Sequence, residues 1–200
     1  MHKQEHWSLA SHLIGDSSWR MYGYALKLGS IMPDILVHTY ILGHKYTTTA
    51  ERVEQNLQDL KENGSWTLYD CFRLGYNLHY VEDYFTHPHN TNFEGGFIDH
   101  CRYEFRLKKA MREYLAAGER PAPIALSKSD CVMAVLDEQH AQYMEAEPSP
   151  ENDAHNIVCA AEAISNEVFA AFTKQSSTTR SLAFMARAGM VGYSPAADSI

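Results

Sequence analysis

The chain has 200 residues, 45% of them hydrophobic and 21% charged, with a formal net charge of -8, which is enough apolar material for one domain with its own core. The acidic balance argues against a surface built to hold nucleic acid, because neutralising phosphates takes clustered Lys and Arg; no stable nucleic acid complex is expected. No apolar run approaches the roughly 20 residues of a transmembrane segment, and the start, MHKQEHWSLASHLIG, lacks the basic-then-apolar layout of a signal peptide, so a cytoplasmic location is slightly favoured over export with a leader removed.

Helical signals dominate along the chain. In GSIMPDILVHTYILGHKYTTT, Pro33 suits the first turn of a helix and Asp34 its positively polarised N-terminus. A helix from Thr49 to about Asn63 stops at Gly64. From Ser65, a candidate cap, to Phe85, the residues Leu68, Phe72, Gly75, His79 and Asp83 recur at three- and four-residue spacing and share one face. Pro88 lies just past its end. After the Gly95-Gly96 turn, His100, Glu104, Leu107, Met111 and Tyr114 form a second stripe, closed by Gly118. Further helices are expected at Ser129 to Glu145, Asp153 to Thr173 and, more weakly, Ser181 to Ala188. The expected architecture is a single all-α, bundle-like domain over residues 1–190, with its site between helices and a loose tail at 191–200.

Histidine is the compositional outlier, with eleven copies lying mostly before Cys101. Cys71, Cys101, Cys131 and Cys159 have no CxxC pair and read as buried thiols. In HYVEDYFTHPHN, His79 and Asp83 stand one helical turn apart on one face, so they can bind a single metal together. His100 and Glu104 repeat the device. His89 lies between them, on a turn where Pro88 prevents the helix from continuing. One such pair is commonly an ordinary surface pair, but two on core-facing stripes place carboxylates where burial is costly unless a cation neutralises them. Imidazole and carboxylate without thiolate suit zinc, with iron, manganese or nickel as alternatives, and five candidates within 26 residues exceed what one tetrahedral site uses. Upstream, Asp34, His38 and His44 are further candidates. Glu82, off the ligand face, reads as a solvated carboxylate, and His140 as a packed core histidine. Thr86, His87 and Asn90 flank the ligands. Tyr80, Tyr84, Phe85, Phe93 and Phe97 read as core aromatics before pocket lining.

HYVEDYFTHPHN followed by HCRYE, with GSIMPD upstream, resembles the zinc-dependent phospholipase C family, which includes bacterial phospholipase C and alpha-toxin and is distantly related to single-strand nucleases. The resemblance covers about residues 6 to 105. It implies an all-α domain in which His89, His100 and Glu104 hold one zinc, and Asp34, His44, His79 and Asp83 a second. Asp83 would bridge to a possible third, with His6 preferred to His12 because a small residue, Ala10, follows four positions on. His44 is preferred to His38 by its Gly43 and Lys45-Tyr46-Thr47 context. Secreted members add the amino group of a mature N-terminal Trp. Trp7 would qualify only after cleavage behind His6, so the third site stays open. The implied activity is hydrolysis of a phosphodiester, a small molecule or a phospholipid, by a zinc-bound hydroxide, with Asp34 as the catalytic proton acceptor or simply a ligand. The alternatives are a single-strand nuclease and a metal-binding protein without turnover. The oligomeric state is not legible.

Overall fold

The structure is a computed structural model, and it describes residues 1–15, 20–36, 44–118 and 132–187. Among these residues every regular element is helical, as the periodicity predicts. The order is α1 (Lys3–Ile14), α2 (Arg20–Ile31), α3 (Tyr46–Asn63), α4 (Leu68–Tyr84), a short 3-10 turn at His87–His89, α5 (Phe97–Ala117), α6 (Val132–Glu145) and α7 (Pro150–Arg187). No described helix is long and apolar enough to cross a membrane.

Helix α4 is the central element. Its run from Leu74 to Tyr84 is enclosed on almost every face, with Leu74, Leu78 and Val81 fully buried and Tyr80 and Tyr84 nearly so. Helix α3 covers it with the stripe Val53, Leu57 and Leu60, and α7 with Ile157, Ala161, Ile164, Val168 and Phe172, both at the spacing of an amphipathic face. Helix α2 packs on it most closely, because glycines face each other's backbone. A Cβ at Gly75 would lie 2.0 Å from the Leu26 carbonyl oxygen, and one at Gly29 would lie 2.0 Å from that of Phe72. Only hydrogen fits at either position.

Several boundaries differ from the sequence reading. The cap of α4 is Thr67, whose hydroxyl accepts from the Asp70 amide at 3.0 Å; Ser65 instead donates its own amide to the Asp70 carboxylate. The two helices expected after Asp153 are one, beginning at Pro150 behind the Ser149 hydroxyl that accepts from Asn152 N-H. The segment between them, KQSSTTR, has no Gly or Pro to stop it. Asp34 does not lie at a helix N-terminus. It sits on a turn directly after α2, where the amides of Ile35 and Leu36 donate to the Met32 carbonyl. Helices α1 and α2 were not anticipated; α1 lacks a side-chain N-cap. Gly118 ends α5 in the left-handed conformation at φ 65°. Cys71 is buried as expected, but Cys101 is exposed on α5. His38, Cys131 and the tail fall outside the described residues.

Candidate metal centre

Five segments converge beside α4: the start of α1, the turn after α2, the lead-in to α3, the His87–His89 turn and the first half of α5. Among the described residues, four sets of three side chains bring their ligand atoms within 4.8 Å of one another. These are His6, His79 and Asp83; Asp34, His44 and His79; His44, Asp83 and His89; and His89, His100 and Glu104. All eight residues singled out from the sequence fall in these sets. His44, His79, Asp83 and His89 each belong to two, so the sets form one continuous cluster. His12 is not part of it; its Nε2 lies 3.1 Å from Glu162 on α7.

The orientation of each group has a local cause. His79 Nδ1-H donates to the Ser30 carbonyl at 2.8 Å, beside the Gly29 contact, which leaves Nε2 facing His44 Nδ1 at 3.1 Å, Asp83 Oδ2 at 3.4 Å and Asp34 Oδ1 at 3.7 Å. His89 is presented by the 3-10 turn, which Asn90 clamps by donating its amide hydrogens to the carbonyls of Tyr84 and Thr86 while its oxygen faces His140 Nε2 at 3.0 Å. His140 is the packed histidine expected, stacked on Tyr46. Asp153 of α7 ties the turn down, accepting from the His87 amide, the Tyr103 hydroxyl and the Tyr143 hydroxyl at 2.8–2.9 Å. On α5, His100 Nε2 lies 3.1 Å from Glu104 Oε1, which faces His89 Nε2 at 3.5 Å. The nitrogen of Met1 also enters the cluster, 2.9 Å from both Asp83 Oδ1 and Glu104 Oε1 and 3.3 Å from His89 Nε2. Trp7 lies elsewhere, in α1 under Lys27.

Protonation follows burial and charge. Burial pushes the imidazoles of His6, His79 and His89 down, His79 to about 3, so they stay neutral with a free lone pair. Burial alone would raise Asp83, but the Met1 ammonium and the hydrogen bond from His44, each 2.9 Å away, oppose it, and the carboxyl is held well below its usual range. Glu104 is likewise held down against burial by His100 and His89. Burial opposes the Met1 ammonium, yet Asp83 and Glu104 keep it up at about 11. Asp34 is pushed up to about 6 by burial and by Asp83. Neutral imidazole and ionised carboxylate are the states in which these groups bind metal.

A family model for zinc-dependent phospholipase C matches residues 5–149. The chain belongs to the zinc-dependent phospholipase C family. No curated protein and no solved structure gave a match. The zinc of this family fits the residues present: the donors are imidazoles and carboxylates without thiolate, and the buried Nε2 atoms of His6 and His44 have no hydrogen-bond partner.

One member of the centre departs from the sequence reading. Glu82, expected in solvent, is fully buried, and its Oε2 lies 2.5 Å from His6 Nδ1. Because α4 is enclosed on almost every face, a position off the ligand stripe still points inward, here toward α1. A hint was available in the spacing, since His79, Glu82 and Asp83 stand at i, i+3 and i+4 and so fall on neighbouring positions of one side of the helix.

Proposed function

We propose that this zinc-dependent phospholipase C family member hydrolyses a phosphodiester, with a phospholipid headgroup ester as the substrate class. The observation that supports it is the overlap of the four ligand sets, since residues shared between sets suit neighbouring metal ions that grip one phosphoryl group. His89, His100 and Glu104 would hold one zinc, and Asp34, His44, His79 and Asp83 a second. His6 with Asp83 would offer a third. Bound zinc supplies positive charge for the phosphoryl oxygens and makes water acidic enough to attack near neutral pH. Water adds to phosphorus and the P-O bond to glycerol breaks, giving diacylglycerol and a phosphorylated headgroup.

The chain's own residues account for the remainder. Asp34 is the most exposed of the cluster's carboxylates, at 19% against 11% for Glu104 and 1% for Asp83, which supports it over them as the acceptor for the proton of the attacking water. Ser30 and Asn90 fix His79 and the His89 turn, as described above. Phe97, Ile98 and Phe105 are 70–79% exposed on the helix that carries His100 and Glu104, where they offer apolar surface for acyl chains. The net charge of -8 disfavours a nucleic acid strand.

Elemental analysis of the purified protein beside a phosphodiester assay panel tests the reading. The expected result is bound zinc with release of diacylglycerol from phosphatidylcholine. Faster cleavage of single-stranded DNA than of phosphatidylcholine would overturn the substrate class. Protein that takes up no zinc would overturn the metal centre.

A further inference from the structure

His6 and Glu82 form a dyad whose geometry the metal-binding sets alone do not explain. Both side chains are at 0% exposure. Glu82 Oε2 meets His6 Nδ1 at 2.5 Å, while its other oxygen, Oε1, is buried without a partner. On the far side of the ring, His6 Nε2 is also buried and unpartnered, and it faces Asp83 Oδ1 at 3.6 Å. The ring is stacked on His79 with centroids 4.0 Å apart, so it cannot swing away. A buried carboxylate with half its acceptor capacity unused is a poor device for stability. Ionised beside a bound cation, it is an effective device for fixing an imidazole: accepting Nδ1-H would assign the tautomer and leave the lone pair on Nε2, aimed at the cluster.

We infer that Glu82 is a positioning residue that holds His6 as a ligand for a metal ion shared with Asp83, without touching the metal. The inference rests on the metal centre proposed above. Glu82 follows from the order of residues on α4, since it precedes Asp83 by one position and turns toward α1 while Asp83 faces the cluster. One helix thereby supplies a ligand and, next to it, the support for a ligand from another helix.

The test is zinc titration of metal-depleted full-length protein, with melting of the metal-free form measured in parallel. His6→Ala is expected to abolish one zinc-binding step and leave the others. Glu82→Met, close to glutamate in volume and unable to accept the hydrogen bond, is expected to weaken that same step about 10- to 100-fold. Glu82→Gln, which retains an acceptor oxygen, should recover part of the loss. The double variant His6→Ala/Glu82→Met should bind zinc as His6→Ala does. Metal-free Glu82→Met loses an unpaired buried oxygen but leaves the His6 N-H without its acceptor, so the structural comparison uses the double variant, which lacks both partners and should melt no lower than metal-free His6→Ala. Loss of a step in His6→Ala with none in Glu82→Met would overturn the inference, and so would a metal-free double variant that melts well below His6→Ala, which would mark Glu82 as a structural group apart from His6. If wild type itself binds no zinc, the metal centre fails as well, and that outcome is distinct from both.

Discussion

The α2–α4 contact allows a direct test of how the fold positions the centre. In Gly75→Ala the new Cβ would stand 2.0 Å from the Leu26 carbonyl oxygen and 2.9 Å from Ser30 N, so the helices must separate by about 1.5 Å to reach ordinary contact. Overpacking of this kind costs about 1–3 kcal/mol, and backbone atoms on both sides leave little room for a cheaper adjustment. Ala recovers about 1 kcal/mol of helix propensity, while loss of the His79–Ser30 hydrogen bond adds back about 1 kcal/mol. The net expectation is about 1–3 kcal/mol, a fall in melting temperature of roughly 2–12 °C for a chain of this size. Because Ser30 would no longer orient His79, zinc affinity should also drop about 10- to 100-fold. Gly23→Ala is the control: its Cβ would meet only the Ile14 side chain at 3.2 Å, which can move, so stability should change by under about 1 kcal/mol. Thermal melts of metal-free protein and competitive zinc titration read both effects. Gly75→Ala that melts within 2 °C of wild type, or binds zinc as wild type does, would refute the close crossing as the element that sets His79.

Three further outcomes are expected. Removal of zinc by a chelator should lower the melting temperature sharply, since a ligand present at 1,000 times its dissociation constant contributes about 4 kcal/mol; an unchanged melt would argue against bound metal. His89→Ala and Glu104→Ala should each release about one zinc per chain, while Asp34→Asn lowers turnover more than metal content, measured by elemental analysis beside an initial-rate assay. Asp153→Ala should cost about 3–5 kcal/mol in denaturant unfolding, because three buried or half-buried donors lose their acceptor together; a loss below 1 kcal/mol would show that they find other partners.

What the sequence made legible is what the helix repeat itself encodes. His79 with Asp83 and His100 with Glu104 are each one turn apart, so a single helix brings each pair together whatever the rest of the chain does. His89 was readable because Pro88 makes the turn local. Groups that meet only through packing were not readable in the same way. Asp153 lies in the PSPEND stretch, 66 residues beyond His87, and nothing in its neighbours marks it as the anchor of that turn. Gly75 was on the predicted stripe, but its role depends on Gly29 and Leu26 arriving from another helix.

Glu82 shows the limit most clearly, because the period was right and the inference from it was wrong. An amphipathic helix has a wet side, and a carboxylate off its core stripe belongs there. Helix α4 has almost none between Leu74 and Tyr84, where every residue but Tyr76 is buried, so nearly every face must be matched by a neighbour, and a charge there needs a specific partner. The sequence permits this at Glu82 only because α1 brings a histidine to it. The pairing of His6 with Glu82 and of His79 with Ser30 has a common consequence. Both imidazoles spend Nδ1 on the protein and present Nε2 to the cluster, one from α1 and one from α4. The two helices that the sequence reading did not anticipate, α1 and α2, therefore supply one of those rings and the carbonyl that sets the direction of the other.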